Sequence, residues 1–217
     1  MHNFEYVPKK EWKPIRDELS EIICRLQDEV RDAFTFQYHF IGSSERKMIT
    51  RDKSSNIGFD FDVNIEVNDP DEDYSAEEIR NILRKGLDKV THPYGYPIWG
   101  YDYTEDSTRV LTIKVKDRMN FCILHSCDFC IIYECDDGQQ QYIRYNKKQR
   151  SYSWEYQPKG YYKLSDKIAW IKKHKLWQHV RDNYITKKNE NTDDNKKSRS
   201  IFAETVHQVC QQNGYYQ

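Results

Sequence analysis

Apolar and polar residues alternate along the chain with two periods, and these periods predict its first helices and strands. From Lys10 to Phe34 apolar residues recur at spacings of three and four, which predicts one long amphipathic helix. From Thr35 to Ile41 and from Ile57 to Val67 every second residue is apolar, which predicts two strands. Ser75 to Glu78 has the spacing of a capping box, so a second helix is predicted to begin there.

Further strands are predicted by the same alternation and by one long apolar segment. Short strands are expected at Trp99 to Tyr103 and at Leu111 to Val115. The segment from Asn120 to Glu134 is apolar almost throughout, which is typical of a central strand buried on both faces. Asp136-Asp137-Gly138 has the sequence of a hairpin turn, so Gln140 to Asn146 is predicted to return as the next strand.

The last part of the chain is predicted to be helical, with a polar interruption. A helix capped by Ser165-Asp166 is expected to extend through Tyr184, and a final helix is expected from Ser200 to about Gln212. Lys187 to Arg199 is polar and of low complexity, so it is predicted to be a loop. Glu45 to Asn56 is predicted to be a polar surface loop. Together the elements predict an α+β fold, in which helices back a mixed, mostly antiparallel sheet.

Acidic residues lie on the polar side of the strand from Ile57 to Val67. Because successive side chains of a strand alternate between faces, Asp60 and Asp62 point away from the apolar side, with Cα atoms roughly 6.5 to 7 Å apart. Carboxylate oxygens are the ligands of hard cations such as Mg²⁺. An edge strand with a solvated acidic face would show the same pattern.

A third acid, Asp128, interrupts the apolar segment downstream. A carboxylate is rarely fully buried unless it is paired or bound to a metal, and cations held by Asp60 and Asp62 would supply that partner. The alternative is an aspartate at the surface near the end of a strand. Cys127 and Cys130 are three residues apart and would face opposite sides of a strand, so they are predicted to be core thiols rather than zinc ligands.

The pair Gly42-Ser43 follows the strand that ends at Ile41. Glycine lets the backbone approach a phosphate closely, and the serine hydroxyl can bind its oxygens. Apolar-Gly-Ser, a gap, and then Asp-apolar-Asp resembles the signature of the nucleotidyltransferase superfamily, which has the DNA-polymerase-β-like fold. The gap between Ser43 and Asp60 is 16 residues. This is longer than in compact members and closer to the branch that makes oligonucleotide second messengers, which includes cyclic GMP-AMP synthase-like enzymes.

The resemblance implies a metal-dependent enzyme with assigned site residues. Gly42 and Ser43 would bind the triphosphate, and three aspartates would hold Mg²⁺ or Mn²⁺ and carry the catalysis, namely Asp60, Asp62 and Asp128. A lysine and a serine at the start of a late helix would also bind triphosphate, which points to Lys197 and Ser200, although Ser200 is equally explained as a helix N-cap. Residues 1–160 would form the catalytic palm with its N-terminal helix, and 161–217 a helical segment that closes the nucleotide cleft, the two forming one compact unit.

The implied reaction moves a nucleoside monophosphate from an NTP such as ATP to an acceptor hydroxyl and releases pyrophosphate. The acceptor is open, and a second nucleotide, an RNA end, a protein or a small molecule would each serve. An alternative of another class is a catalytically inactive protein that keeps this fold for interaction, such as a toxin–antitoxin partner. The presence of all three aspartates argues against that alternative.

Composition and charge add expectations about compartment and partners. No run of about 18 apolar residues exists and the N-terminus does not resemble a signal peptide, so a cytoplasmic protein with no membrane partner is expected. Six cysteines in such a protein are expected to be reduced. The net charge is −1, but the region from Arg144 to Arg199 carries 16 Lys and Arg against 6 Asp and Glu. That region could bind a polyanion, and a solvated surface would look similar.

Overall fold

The computed structural model describes residues 2–69, 72–135, 138–158, 160–161, 163–193 and 195–215. The chain divides into two units. The larger unit consists of Val7–Ile49 and Asn56–Gln157, and the smaller unit of Met1–Tyr6, Thr50–Ser55 and Pro158–Gln217. Two short segments from the first quarter of the chain group with the C-terminal helices in the smaller unit, and the division expected at residue 160 stays a prediction.

Nine strands and six helices follow one another along the described residues. The strands are β1 (Phe4–Tyr6), β2 (Thr35–Ile41), β3 (Thr50–Asp52), β4 (Ile57–Asn68), β5 (Glu105–Asp106), β6 (Val110–Asp117), β7 (Cys122–Glu134), β8 (Gln140–Asn146) and β9 (Ser151–Tyr156). The helices are α1 (Lys9–Val30), α2 (Gly42–Glu45), α3 (Ala76–Thr91), α4 (Leu164–Lys173), α5 (Trp177–Glu190) and α6 (Ser198–Gln212).

The larger unit contains a seven-stranded sheet in the order β2-β4-β7-β6-β5, and β8 pairs with β7 and with β9. Strands β4 and β7 are parallel, and the other pairs of this sheet are antiparallel. The predicted α+β fold with a mixed, mostly antiparallel sheet is therefore confirmed. The long apolar segment forms β7, which lies between β4 and β6 at the centre of the sheet.

The apolar face of β4 packs into the core of the larger unit together with α1 and α3. Four β4 side chains at alternate positions, Phe61, Val63, Ile65 and Val67, are at most 4 % exposed. They join apolar residues of both helices in one cluster, which includes Leu19, Ile22, Ile23, Leu26, Ile79, Leu83 and Leu87. This packing leaves the opposite face of β4, which carries the acids, free of the helices that form the core.

Local features of the larger unit explain why these elements begin and pair where they do. The predicted capping box is confirmed, because the Ser75 hydroxyl accepts from the Glu78 N–H and the Glu78 carboxylate accepts from the Ser75 N–H. At Gly58 a Cβ would lie 1.9 Å from the Leu124 carbonyl oxygen, so only glycine allows β4 and β7 to approach there. Ile57, the first residue of β4, is 60 % exposed, so the buried side of this strand begins at Phe59.

Three expectations for the larger unit are wrong. Trp99 to Tyr103 is not a strand and forms only an isolated bridge from Tyr101 to Val115. Strand β7 is buried on one face over most of its length, because the side chains between its buried residues are partly exposed. The supposed polar loop after the Gly-Ser turn includes Met48 and Ile49, which are each 1 % exposed.

The smaller unit has a core of its own. Helices α4, α5 and α6 pack together around apolar residues that include Ile171, Val180, Ile201, Phe202, Val206 and Val209. Strand β1 pairs antiparallel with β3, which the sequence had assigned to a loop. The Lys188 ammonium donates to the Thr50 hydroxyl at 2.8 Å and lies 3.8 Å from the centre of the Phe4 ring, which joins α5 to this two-stranded sheet.

Helix boundaries in the smaller unit differ from the prediction. The single helix expected up to Tyr184 is divided into α4 and α5, and Lys175 between them has a φ of 60°. The polar segment expected from Lys187 to Arg199 is helical at both ends, since α5 ends at Glu190 and α6 begins at Ser198. The apolar spacing that predicts a single helix continues through the residues between α4 and α5. The last turn of α5 is polar in composition, so the sequence predicted a loop there.

Two further expectations concern the described part of the chain. The six cysteines are free thiols, and Cys127 is buried whereas Cys130 is partly exposed, as expected for opposite faces of a strand. No helix among the described residues combines the length and the apolarity that crossing a membrane requires. Asp136 and Asp137 of the predicted hairpin turn lie outside the described residues, and Gly138 after them has a φ of 75°.

Candidate active site

The parallel pairing of β4 with β7 brings the predicted acids onto one face of the sheet. Asp62 is the register partner of Asp128, and Asp60 is the partner of Ser126. Neighbouring strands lie about 4.8 Å apart, and alternate residues of one strand lie about 6.6 Å apart. The three aspartates predicted from the sequence therefore lie side by side at the centre of the sheet, on the face opposite α1 and α3.

Burial and mutual repulsion act on these carboxylates together. Burial, together with the charges of Asp60 and Asp128, raises the pKa of Asp62 to about 7, and the charge of Arg46 opposes this shift. Burial also raises the pKa of Asp128, and a hydrogen bond from Thr112 opposes that effect. Negative charge on this face is therefore unfavourable by itself, which is the electrostatic condition that a bound cation would relieve.

The Gly-Ser pair forms a tight turn against the same carboxylates. Ile41, the last residue of β2, is the register partner of Asp62, and the short helix α2 begins at the next residue. Gly42 has a φ of 66°, a conformation that glycine adopts without strain. A Cβ there would lie 2.6 Å from Asp62 Oδ2. Glycine is thus favoured by the backbone of the turn, and a side chain at this position would force the Asp62 carboxylate to move.

The two serines of the turn have different surroundings. Ser44 is fully buried, and its hydroxyl donates to the Ile41 carbonyl at 3.1 Å, so it holds the turn closed. Ser43 is partly exposed, and its carbonyl accepts from the Met48 N–H at 2.8 Å. The Ser43 side chain is therefore the better placed of the two to meet a ligand.

Strand β6 adds polar side chains that the sequence analysis did not single out. The Thr112 hydroxyl donates to Asp128 Oδ1 at 2.6 Å. Lys114, the next residue on the same face of β6, donates from its ammonium to Glu105 Oε2 at 2.6 Å. Both alternate with the buried Leu111 and Ile113, so the sequence predicts that they share the opposite side of the strand. The sequence does not predict the register that places Thr112 opposite Asp128.

Lys197 and Ser200 belong to the smaller unit, and their predicted role in binding triphosphate stays a prediction. Helix α6 begins at Ser198 with Lys197 as its N-cap residue, so the interpretation of Ser200 as the N-cap is wrong. The Ser200 hydroxyl instead lies 2.7 Å from the Tyr161 hydroxyl, within hydrogen-bonding distance. A lysine side chain cannot accept a hydrogen bond from the helix, which explains why this N-terminus has no side-chain cap.

The residues present fit a divalent cation in chemistry and in backbone placement. The donor set consists of carboxylate oxygens, which suit Mg²⁺ and Mn²⁺. Burial and the neighbouring acids disfavour the charged form of Asp62 and raise its pKa, so a bound cation would stabilise that form. As their side chains are placed, no group of three or more His, Cys, Asp or Glu among the described residues could hold a metal ion. Binding would therefore require at least one of these carboxylate side chains to move, on strands that already bring the three together.

Comparison with known proteins rests on structure alone. No protein-family model and no curated protein matches the sequence. The GTP-bound form of DncV from Vibrio cholerae aligns over 94 % of this chain and 52 % of that chain, with a TM-score of 0.57 and 15 % identity. A second DncV structure, described as a cyclic AMP-GMP synthase and a prokaryotic cGAS homolog, covers 94 % of this chain and 53 % of its own, with a TM-score of 0.57 and 14 % identity.

A third similar structure is CdnC from E. coli MS115-1, solved with ATP. It covers 94 % of this chain and 62 % of its own, with a TM-score of 0.51 and 17 % identity. The chain spans about half the length of the DncV structures that it matches. At these identities the likeness establishes the fold alone, and the α+β architecture expected from the sequence is the one that this chain shares with DncV and CdnC.

Proposed function

We propose that this protein is a nucleotidyltransferase that moves a nucleoside monophosphate from an NTP to an acceptor hydroxyl and releases pyrophosphate. The observation that carries the proposal is the register of β4 and β7, which sets Asp62 opposite Asp128 with Asp60 on the same face. The fold shared with DncV and CdnC, whose structures are described with GTP and ATP, supports it.

The aspartates have the role of cation ligands in this proposal. Asp60, Asp62 and Asp128 would hold Mg²⁺ or Mn²⁺, which when bound lowers the pKa of the attacking hydroxyl and neutralises charge on the triphosphate. The strands contribute rigidity, because a site on paired strands holds its ligands more firmly than a site on loops. Asp62 lies closest to the Gly-Ser turn, so it connects the cation site to the phosphate site.

The turn at Gly42 and Ser43 would bind the triphosphate. The absence of a side chain at Gly42 lets the turn lie directly against the Asp62 carboxylate, and a glycine backbone can approach a phosphate closely. The Ser43 hydroxyl can donate to a phosphate oxygen, and a hydrogen bond to a charged acceptor contributes about 1.5 to 3 kcal/mol. Ser44 keeps the turn closed through its bond to the Ile41 carbonyl. Lys197 and Ser200 are retained as further candidates for triphosphate contacts.

A product assay tests this function and identifies the class of acceptor. The protein is incubated with labelled NTPs and Mg²⁺ or Mn²⁺, first with no added acceptor and then with RNA, protein or small-molecule hydroxyl compounds. Asp62→Asn serves as the inactive variant. Asp32→Asn, in the exposed turn after α1, serves as the matched control that should keep full activity.

Each result of the assay has a defined meaning. A labelled oligonucleotide formed without added acceptor would support transfer to a second nucleotide. Transfer that depends on an added acceptor would keep the reaction class and assign the acceptor. If the wild type transfers to none of them, the proposal is wrong and the inactive interaction protein becomes the better account. If Asp62→Asn transfers as well as the wild type, the reaction does not depend on this carboxylate and the assigned site is wrong.

A further inference from the structure

The neighbour of Asp128 on the other side of β7 is a threonine with no role in the aspartate motif. Thr112 on β6 is the register partner of Asp128, and its hydroxyl donates to Asp128 Oδ1 at 2.6 Å. This distance lies in the short range of hydrogen bonds from a hydroxyl to a charged carboxylate, which are about twice as strong as neutral ones. Asp128 is thus bracketed by a hydrogen-bond donor on β6 and by Asp62 on β4.

Thr112 is well suited to fix an orientation. The residues on either side of it, Leu111 and Ile113, are fully buried in the core, so the backbone at this position is anchored. Threonine is branched at Cβ, which restricts rotation about χ1 and therefore the direction of its hydroxyl. A fixed donor on one oxygen of Asp128 limits rotation of that carboxylate and leaves its other oxygen for a second partner.

Lys114, the cationic residue next along the same face of β6, does not orient the Asp128 carboxylate. Lys114 lies two residues along β6, and its ammonium donates to Glu105 at 2.6 Å. Glu105 is itself the register partner of Thr112, so the ion pair lies on the side of β6 away from β7. The hydrogen bond to Asp128 Oδ1 therefore comes from the Thr112 hydroxyl and not from the Lys114 ammonium.

We propose that Thr112 is a positioning residue that holds the Asp128 carboxylate in the orientation needed to bind a divalent cation. The inference rests on the proposed function, since it assigns Asp128 to the cation site. Residues that orient a metal ligand through a hydrogen bond change metal affinity or activity by about 10- to 100-fold when they are replaced. Thr112 should have an effect of that size through its hydrogen bond to Asp128.

The test uses two substitutions at Thr112 and one control. Thr112→Val keeps the shape and the strand propensity but removes the donor, whereas Thr112→Ser keeps the donor. Thr35→Val is the matched control, because Thr35 is an exposed strand threonine paired with Asn68 at the far end of β4. Binding of Mn²⁺ in the presence of a non-hydrolysable NTP is measured by electron paramagnetic resonance, beside kcat and KM for transfer and a circular dichroism spectrum.

Thr112→Val is expected to weaken Mn²⁺ binding by about 10- to 100-fold and to lower kcat, with a smaller change in KM for the NTP. Thr112→Ser should keep most of the wild-type Mn²⁺ affinity and kcat. Thr35→Val should have the same Mn²⁺ affinity and kcat as the wild type. Wild-type Mn²⁺ affinity in a folded Thr112→Val would overturn the inference while leaving the proposed function intact. Weakened Mn²⁺ binding in Thr112→Val, together with no transfer by the wild type, would support the positioning role and overturn the proposed function instead.

Discussion

Replacement of Asp62 by asparagine should make the protein more stable at neutral pH when divalent cations are removed. The pKa of Asp62 is raised from an ordinary value of 3.8 to about 7 by burial and by its acidic neighbours. Between these values the folded protein keeps a proton that the unfolded chain has lost. The free energy of unfolding therefore decreases as pH rises from about 4 through 7, and the stabilising effect of that proton is present in full only below this window.

The magnitude follows from the size of the pKa change. Each pKa unit corresponds to about 1.4 kcal/mol, so the wild type should lose up to roughly 4 kcal/mol of stability between pH 4 and pH 8 from this group. Asp62→Asn has no proton to lose, and its stability should vary less with pH by that amount. Asp128 stays in place in the variant, and its own raised pKa will leave part of the pH dependence.

Urea denaturation in EDTA at several pH values between 4.5 and 8 measures this difference. The expected result is a small difference in stability between wild type and Asp62→Asn near pH 4.5, and a difference in favour of the variant that grows as the pH rises to 8. Asp32→Asn, at an exposed position, should follow the wild type throughout. Parallel curves for the wild type and Asp62→Asn, or a variant less stable at pH 8, would refute the view that Asp62 lies in a crowded acidic site.

Three further substitutions test the rest of the site. Gly42→Ala should abolish transfer in a turnover assay, because its Cβ would lie 2.6 Å from Asp62 Oδ2 and its φ of 66° adds about 1 to 2 kcal/mol of strain. Gly95→Ala is the control and should keep activity, since Gly95 has a similar φ of 77° but no atom near its Cβ position. Ser43→Ala should weaken NTP binding by about 10- to 150-fold in calorimetry. Ser44→Ala should instead lower the melting temperature, because it removes the bond that closes the turn. Weaker NTP binding in Ser44→Ala and a lower melting temperature in Ser43→Ala would reject the roles assigned to the two serines. Asp128→Asn should abolish transfer, leave the melting temperature in EDTA unchanged or higher, and reduce the rise that Mg²⁺ and NTP produce. A rise equal to that of the wild type would reject Asp128 as a cation ligand.

The elements with strong local signals were predictable from the sequence. Strand β4 alternates apolar and acidic residues over its length, and the spacing of Ser75 and Glu78 specifies a helix start whose two hydrogen bonds are both formed. A lone Asp128 within an apolar segment indicated a functional partner, since burial of an isolated carboxylate is unfavourable. These signals are local, and the structure retains them.

Other features depend on tertiary pairing, which a single sequence does not specify. The alternation of apolar and polar residues in β4 and β7 determines which side chains face the core. It does not determine that the two strands are parallel or that Asp62 lies opposite Asp128. The same holds for Thr112, a strand threonine without any distinctive neighbour in sequence. Met48 and Ile49 are buried within an otherwise polar segment, where two apolar residues are too few to define a period.

The most direct test of the account is the dependence of NTP binding on both the cation and the strand acids. A non-hydrolysable NTP is titrated by calorimetry into the wild type with Mg²⁺, into the wild type with EDTA, and into Asp62→Asn with Mg²⁺, after each protein is shown to be folded. If the carboxylate face of β4 and β7 holds the cation that binds the triphosphate, affinity should fall by at least about tenfold, or roughly 1.4 kcal/mol, in both the EDTA and the Asp62→Asn titrations. Equal affinity in all three would contradict the account.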